Sequence, residues 1–378
     1  MNKAVKLISI LIIAGACFTS CAQTSAGRKS LSPGERIGDG LNPVEINEKY
    51  GFINTEGQLV IPAQYDEVKY FSEGKAVFGI DQPDRTSLYG FINTEGKVVI
   101  EPVFSSAESF SDGRAVVSLP ADRTGSYGYI DETGKLIIPP TFSYAESFRN
   151  DAARIEVYSR ETGKSFGYIG KTGQFLIETR FSSAESFSEN LAAVQLNGRW
   201  FFVNKKGERL NSADFKYADS FAEKLAPVCI VNENGEDRWG YIDENGRFSI
   251  PPQFEHAASF REGLAVAAIN GKYGFIDKSG QFVIPPKFIA LDTFFSEGLA
   301  SVRLLDGAPN AYGFIDQNGK VVINAEFSSA LNFINGLARV EIYQGQRGEM
   351  LVYRMAYINH FGRRVWTGEE FKRRVGGN

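Results

Sequence analysis

The stretch KYGFIDKSGQFVIPPKF (272–288) decides the fold, because it returns in nearly the same form as LYGFINTEGKVVIEPVF (88–104). The shared pattern is an aromatic-Gly pair, an Ile, an Asp or Asn, a polar turn that ends in Gly, and a short apolar run. The pair recurs at Tyr50-Gly51, Tyr89-Gly90, Tyr127-Gly128, Phe166-Gly167, Trp239-Gly240, Tyr273-Gly274 and Tyr312-Gly313. Trp200-Phe201 and Met355-Ala356 hold the same place in two altered copies. Successive copies lie 34 residues (Gly167 to Phe201) to 43 residues (Gly313 to Ala356) apart, which indicates nine copies of one repeat.

Each copy predicts two strands joined by a three-residue turn, such as 278–280, whose last residue is a left-handed Gly. The Pro-Pro pairs that follow, as at 285–286, are expected to end the second strand, because Pro cannot donate to a ladder. An Ala and a Phe three residues apart then predict a short turn packed on the core, and GLAVAAI (263–269) predicts the next strand. The residue before each three-residue turn is predicted to cap it with its side chain. These residues are Asn54, Asn93, Asp131, Asn204, Asp243, Asp277, Asp316 and Asn359.

Composition points to the same class. Of 378 residues, 39 are Gly and 13% are aromatic, which favours many short strands between tight turns. A single unit of about 39 residues buries too little apolar surface to fold alone, so neighbouring units must share their faces. We therefore predict an all-β tandem array of about nine β-meander units. No strand at one terminus is set apart to pair with the other, so we expect an open or superhelical array, with a β-propeller as the alternative.

The first residues have the features of an export signal. Lys3 and Lys6 precede an apolar stretch (7–16) that is too short to span a bilayer. The cysteine that follows small residues resembles the lipobox of bacterial lipoproteins. That resemblance implies acylation of Cys21, with Cys17 as the alternative.

The domain organisation follows from this resemblance. It implies a signal peptide at 1–20, a flexible tether from the lipidated cysteine at 21–42, and the repeat domain at 43–378. Because Ala22 and not Asp follows Cys21, we expect an outer-membrane lipoprotein. An ordinary cleaved signal would instead give a soluble periplasmic or secreted protein. Cleavage before Cys21 would leave Cys229, which lies in an apolar strand and is interpreted as a core residue.

The phrases YGFIDKSG, WGYIDENG and GLAVAAINGKYGF closely resemble the WG-repeat family of bacterial proteins, also called KWG repeats. The likeness covers about residues 43–366 and departs from the family at Phe201 and Ala356, where looser cores are expected. The family is defined by its repeat and not by a reaction, so the resemblance implies a structural or binding role without catalytic residues. The units are also similar to the aromatic-Gly hairpins of cell-wall-binding repeats, which suggests a glycan or another envelope component as ligand.

The copies differ chiefly in polar insertions that all occur at the same place in the unit and are therefore expected on one face. They offer candidate binding residues: Asp84, Arg85, Asp122, Arg123, Arg160, Glu161, Asp237 and Arg238. The expected partner is an envelope protein or glycan, with membrane contact through the lipid only.

Other functions are less favoured. The 41 basic and 45 acidic residues are spread evenly, which argues against nucleic acid. His256 and His360 are far apart, so neither a metal site nor a cofactor is predicted. The alternative function is an envelope polysaccharide-processing enzyme that uses carboxylates in a groove.

Overall fold

A computed structural model describes residues 40–120, 126–161, 163–289, 291, 293–304 and 308–374. These residues form nine antiparallel sheets of three or four strands, and in each sheet the strands are hydrogen-bonded in chain order. None of the described residues forms a helix long and apolar enough to span a bilayer. Cys17, Cys21 and the predicted signal peptide lie outside the described residues. Leu41 and Asn42, the last two residues of the predicted tether, are buried.

The sheets are numbered 1 to 9 along the chain. Sheets 1 to 3 comprise β1 (Asn42–Ile46), β2 (Lys49–Ile53) and β3 (Leu59–Tyr65); β4 (Glu67–Val68), β5 (Lys75–Asp81), β6 (Ser87–Asn93) and β7 (Val98–Phe104); and β8 (Ser106–Ala107), β9 (Ala115–Ser118), β10 (Tyr127–Ile130) and β11 (Leu136–Phe142). Sheets 4 to 6 comprise β12 (Tyr144–Ala145), β13 (Ala152–Ser159), β14 (Gly163–Gly170) and β15 (Phe175–Phe181); β16 (Ser183–Ala184), β17 (Leu191–Leu196) and β18 (Arg199–Asn204); and β19 (Tyr217–Ala218), β20 (Leu225–Val231), β21 (Asp237–Asp243) and β22 (Phe248–Phe254). Sheets 7 to 9 comprise β23 (His256–Ala257), β24 (Ala265–Ile269), β25 (Lys272–Ile276) and β26 (Phe282–Phe288); β27 (Leu299–Arg303), β28 (Tyr312–Asp316) and β29 (Val321–Phe327); and β30 (Ser329–Ala330), β31 (Ala338–Arg347), β32 (Met350–Ile358) and β33 (Arg364–Arg374).

Sheets 2 to 9 are each assembled from two consecutive sequence copies, whereas β1 of sheet 1 precedes the first copy. In sheet 7, for example, β23 and β24 come from the copy that begins at Trp239, whereas β25 and β26 come from the copy that begins at Tyr273. The Ala and Phe of the repeat belong to the short first strand and the loop after it, and both are buried, as with Ala107 and Phe110. Neighbouring copies therefore contribute strands to the same sheet as well as residues to the same core.

The predicted turns are confirmed. In all eight copies that carry the Asp or Asn, its Oδ1 accepts the backbone N–H groups of the residues two and four positions later. The final Gly is left-handed, for example Gly280 at φ 83°. These side chains therefore have a local structural role.

The predicted end of the second strand at Pro-Pro is wrong. In β22 and β26 the strand runs through both prolines to Phe254 and Phe288. This strand is the last of its sheet and pairs on one side only, and its register shifts at the aromatic-Gly pair of its neighbour. An edge strand with a bulge accommodates Pro because the missing N–H is not needed for pairing.

Hydrophobic clusters join every sheet to the next. Phe91 of sheet 2 packs with Phe110 and Val117 of sheet 3 in one such cluster. The other clusters repeat this arrangement between each consecutive pair of sheets. A final cluster contains Val44 and Ile53 of sheet 1 with Leu337 and Tyr357 of sheet 9. The described residues therefore form a closed ring, which is a β-propeller with nine blades, and not the open array that we favoured from the sequence.

Hydrogen bonds between sheets confirm that the closing contact is of the same kind as the others. A polar side chain one or two residues after the repeat Phe donates to a backbone carbonyl of the next sheet. These bonds are Ser72 to Phe110, Ser111 to Phe148, Asn150 to Phe187, Ser188 to Phe221, Ser296 to Phe333 and Asn335 to Leu41. The last of them joins sheet 9 to sheet 1. Tyr357 Oη also donates to the carbonyl of Pro43 at 2.8 Å.

The repeat glycine lets the last strand of each sheet come close. A Cβ on Gly128 would lie 2.4 Å from the carbonyl oxygen of Ile138, and the same contact recurs at the equivalent glycines. Where Phe201 replaces this Gly in sheet 5, only isolated bridges, Trp200 to Phe215 and Val203 to Arg209, stand in place of a fourth strand. The altered fifth copy thus gives a less regular sheet, although Phe201 itself is buried.

Candidate binding face

The hairpins between the second and third strands lie on one side of the ring, together with the connections from each last strand to the next sheet. We call this side the hairpin face. The described residues of its hairpins are 46–49, 81–87, 118–120 with 126–127, 159–161 with 163, 196–199, 231–237, 269–272, 303–304 with 308–312, and 347–350. Side-chain contacts hold the two kinds of loop together. Asp66, in the connection to sheet 2, accepts from Lys49 Nζ and from the backbone N–H of Asp81. Glu255 likewise accepts the N–H groups of Asn270 and Gly271.

The predicted binding residues lie on this face where they are described. Asp84 accepts from the N–H and hydroxyl of Thr86 at 3.0 and 2.7 Å, and these bonds lower the pKa of Asp84. The adjacent Arg85 adopts a left-handed conformation, at φ 71°.

In sheet 6, both carboxylate oxygens of Asp237 lie 2.7 Å from Lys216 Nζ. Arg238 donates to the Glu236 carboxylate at 2.6 Å and to the backbone carbonyl of Asp237 at 2.9 Å. Arg160 and Glu161 belong to a turn in which the Glu161 N–H donates to Ser159 Oγ at 3.2 Å. Asp122 and Arg123 lie outside the described residues.

The short first strand, where a sheet has one, is the innermost strand of that sheet, because residues in it and directly after it contact the equivalent residues of the neighbouring sheet. Lys69 Nζ of sheet 2 donates to the carbonyl of Ala107 and pairs with Glu108 of sheet 3, both at 2.9 Å. Farther around the ring, Ser259 of sheet 7 donates to Asp219 of sheet 6 at 3.3 Å. The position after the repeat Ala therefore lines the inner wall of the ring. It is acidic in four consecutive sheets, as Glu108, Glu146, Glu185 and Asp219.

Aromatic rings extend this wall toward the hairpin face. In sheet 4, Arg154 pairs with Glu146, donates to the carbonyl of Ala184, and lies over the rings of Tyr144 and Phe166 at 6.0 and 5.3 Å. In sheet 6 the rings of Tyr217 and Trp239 stack at 6.2 Å and an angle of 8°.

A chain of rings continues from sheet 6 into sheet 7. His256 lies 6.1 Å from Trp239 and 5.7 Å from Tyr273. Aromatic faces next to carboxylates suit ligands that carry positive charge or the apolar faces of sugars.

Burial perturbs two of the inner-wall acids. It raises the pKa of Glu185 to about 7, assisted by the negative charge of Asp219 and opposed by Arg154. Burial also raises the pKa of Asp219. Two neighbouring carboxyl groups of the inner wall therefore resist ionisation.

The wild-type chain is expected to lose stability as pH rises from about 4.5 to about 7, because Glu185 binds its proton more tightly in the folded state than in the unfolded state. Glu185→Gln removes this dependence, so the variant should be roughly 2 kcal/mol more stable than wild type at pH 8 and nearly equal at pH 4.5. Urea denaturation at several pH values measures the difference. The exposed Glu178 on β15 provides a matched control, Glu178→Gln. A difference between wild type and Glu185→Gln that is constant across pH would contradict the assignment.

An open groove of about 550 Å³ lies at the junction of sheets 1 and 9. Its lining residues are Glu45, Ile46, Arg354, Trp366, Thr367, Gly368, Glu369 and Glu370. Arg354 pairs with Glu370 at 3.2 Å, and Glu369 accepts the N–H of Asn47 at 3.4 Å. The second of these contacts joins sheet 9 to sheet 1 and helps to close the ring, so the groove is first a structural junction.

Sequence reasoning missed the inner wall, although a signal for it was present. The phrases SAESF (106–110), YAESF (144–148), SAESF (183–187) and YADSF (217–221) all carry an acid between the Ala and the Phe of the repeat. The acid could not be recognised as inward-facing without knowing that this segment forms the first strand of a ring. The aromatic residue before Ala in two of these phrases marks Tyr144 and Tyr217.

Solved structures similar to this chain include three proteins with low sequence identity. They are a puromycin-hydrolyzing peptidase of Mycobacterium tuberculosis (12% identity, TM-score 0.36, 83% of this chain and 61% of that one), the β-propeller domain of the Trilobed protease from Pyrococcus furiosus (14%, 0.32, 69% and 100%) and the WD40 domain of SCAP from fission yeast (8%, 0.30, 91% and 88%). No curated protein matches the chain. The assignment of the ring rests on the strand pairing and on the clusters between sheets.

The repeat itself is recognised in most of the described chain. A family model described as WG containing repeat matches residues 50–82, 89–119, 127–159, 166–200, 239–273, 273–307 and 312–344. The matches leave out 201–238, which begins at Phe201, and the last copy, in which Ala356 replaces Gly. They cover more than half of the chain, and the chain therefore belongs to the WG containing repeat family.

Proposed function

We propose that this protein is a non-catalytic scaffold that binds an envelope protein or glycan on its hairpin face. The observation that carries the proposal is that the most variable segments of the repeat gather on one face of a ring whose sheets are otherwise alike. Loops on a rigid scaffold are where binding function is usually found in repeat proteins. Aromatic rings and carboxylates of the inner wall border the same face and provide both apolar and polar contacts.

The proposal includes attachment to the outer membrane through a lipid on Cys21. The charged and apolar segments at 1–16 and the lipobox-like residues before Cys21 support it. Several acyl chains on one cysteine would hold the protein firmly, since each buried CH₂ contributes about 0.8 kcal/mol. Fractionation of wild type and Cys21→Ala tests the anchor: the variant is expected to leave the membrane fraction, and retention there would refute it.

The second candidate is a polysaccharide-processing enzyme, favoured by one observation. Glu185 and Asp219 are adjacent carboxyl groups with raised pKa values, and an acid of this kind can donate a proton near neutral pH. A hydrolase would also need a substrate path to these residues. Turnover of envelope glycans by the purified protein, abolished in Glu185→Gln, would replace the scaffold proposal.

Hairpin shortening provides the direct test. The five residues 82–86 and the five residues 232–236 can each be replaced by Asn-Gly, which copies the chain's own two-residue hairpins at Asn197-Gly198 and Asn270-Gly271. Because the flanking strands are unchanged, we expect a folded protein that captures at least about tenfold less partner from envelope extracts or glycan arrays.

The control changes the opposite side of the ring. The pair Glu95 and Lys97, which lie 2.7 Å apart in an exposed turn between β6 and β7, can be replaced by Ser. This variant should bind as wild type does. Equal capture by wild type and the hairpin variants would refute the hairpin face as the binding surface.

A further inference from the structure

Sheets 4 and 6 contain the same cradle of side chains at equivalent positions. In sheet 4, Tyr144, Glu156 and Phe166 form one row across the strands, and in sheet 6 the same row is Tyr217, Cys229 and Trp239. The acids are equivalent as well. The N–H of Glu146 donates to the carbonyl of Arg154 at 3.0 Å, and the N–H of Asp219 donates to the carbonyl of Pro227 at 3.1 Å.

The cradle of sheet 4 is filled by the chain itself. The guanidinium of Arg154 bonds the carboxylate of Glu146 and the carbonyl of Ala184, and it lies over two aromatic rings. The Arg154 side chain is only 16% exposed. A guanidinium thus satisfies the carboxylate, the carbonyl and both ring faces at once, which a planar cation with several donors is suited to do.

The cradle of sheet 6 has the same walls but a different residue at the centre. Pro227 pairs with Tyr241 just as Arg154 pairs with Tyr168, so proline stands where sheet 4 has its arginine. The rings of Tyr217 and Trp239 and the carboxylate of Asp219 are all retained. The carbonyl of Ala257 corresponds to that of Ala184, the acceptor for Arg154.

Asp219 is held by polar groups of its own sheet and of sheet 7. It accepts from the N–H of Ser220 at 2.6 Å and from Ser259 Oγ at 3.3 Å, and Arg261 places a positive charge near it. Lys216 Nζ lies 5.4 Å from the Tyr217 ring. It is, however, held between both oxygens of Asp237, each at 2.7 Å.

We propose that the cradle formed by Tyr217, Trp239 and Asp219 binds the guanidinium group of an arginine supplied by a ligand. The proposal deepens the scaffold function, since an arginine side chain of a partner protein would carry this group to the inner margin of the hairpin face. Free arginine offers the same chemistry. Binding would repeat, between molecules, the contacts that Arg154 makes within the chain.

Titration of the full-length protein with small guanidinium ligands tests the proposal without any macromolecular partner. The probes are free L-arginine, the peptide Gly-Arg-Gly and the peptide Gly-citrulline-Gly, in which a neutral urea replaces the guanidinium. Calorimetry at pH 8 should show Gly-Arg-Gly binding at least about tenfold tighter than the citrulline peptide. Tighter binding of the peptide than of free arginine points to a protein partner, and the reverse points to the free amino acid.

Three variants separate the cradle from the rest of the face. Pro227→Arg should place its own guanidinium in the cradle and abolish arginine binding, whereas Pro227→Ala should retain it. Asp219→Asn should weaken binding about tenfold. The indole N–H resonance of Trp239, assigned with Trp239→Phe, should shift on addition of Gly-Arg-Gly, while those of Trp200 and Trp366 should not.

Equal binding of the arginine and citrulline peptides would overturn the proposal. Unchanged arginine binding by a Pro227→Arg protein with wild-type circular dichroism and melting would also overturn it. These outcomes are independent of the hairpin experiment. Equal capture by wild type and the hairpin variants, together with selective arginine binding, would refute only the scaffold function. Reduced capture by the hairpin variants, together with equal binding of the arginine and citrulline peptides, would refute only the cradle.

Discussion

Replacing Val44 by Asp is expected to lower the free energy of unfolding by about 4 kcal/mol, because it buries a charge in the contact that closes the ring. Val44 is 1% exposed and packs with Ile53 of its own sheet and with Leu337 and Tyr357 of sheet 9. An uncompensated carboxylate cannot be accommodated there without separating the two sheets. In a closed ring every sheet packs between two neighbouring sheets. Separation of sheets 1 and 9 would therefore weaken the whole ring and not one unit.

Urea denaturation followed by circular dichroism measures the effect. Val60, in β3 of the same sheet, is 45% exposed, so Val60→Asp provides a control with the same chemical change. The control is expected to cost less than about 1 kcal/mol. Similar losses in the two variants would mean that sheets 1 and 9 do not pack together in solution, and an open array would then describe the protein.

Much of the repeat could be predicted from sequence because its determinants are local. The Asp277 cap, the left-handed Gly280 and the alternating apolar residues around them act within a few positions of the chain. All-β structure and nine units follow from these features and their period. The strand through Pro285-Pro286 was predicted wrongly for a tertiary reason: it is the outermost strand, so no partner needs the missing N–H groups.

Ring closure could not be predicted because it involves no strand exchange. The first described strand, β1, is equivalent to the second strand of a four-stranded sheet. The last described strand, β33, is the fourth strand of sheet 9. Each sheet is thus built from consecutive residues, and the ends meet only through side chains such as Val44 and Leu337. Because no described terminal strand completes a distant sheet, the sequence pattern is the same for an open array and for a closed ring.

Only part of the candidate site, the hairpin insertions, could be predicted from the sequence, because the rest depends on contacts between residues that are distant in the chain. Insertions of unequal length are visible as sequence, and they lie on one face as expected where they are described. The cradle depends instead on side chains from separate strands, such as Tyr217, Asp219 and Trp239, whose common direction is set by register. The presence of Pro227 at the position of an arginine can be interpreted only when the contacts of Arg154 in sheet 4 are known.

The second large effect on stability is expected at the repeat glycine. This position requires glycine because a paired strand comes close to it, and not because its backbone adopts a conformation that only glycine allows. In sheet 3 a Cβ on Gly128 would lie 2.4 Å from the Ile138 carbonyl oxygen and 2.7 Å from the nitrogen of Pro140. Main-chain atoms of a paired strand cannot give way as a flexible side chain can. The chain itself shows the consequence: where the glycine is replaced by Phe201, sheet 5 has no regular fourth strand.

Gly128→Ala is therefore expected to destabilise the ring by about 3 kcal/mol, at the upper end of what overpacking usually costs. Thermal and urea unfolding measure this loss, and faster amide exchange confined to β10 and β11 would place it in the displaced outer strand. Ala356→Gly is the matched control. There the sheet already tolerates a Cβ, since β32 pairs with β33 on either side of a register shift next to Ala356. The reverse change should cost only about 1 kcal/mol, through the greater backbone freedom of glycine. Near-equal effects of the two substitutions would show that the aromatic-Gly pair is kept for a reason other than close strand approach.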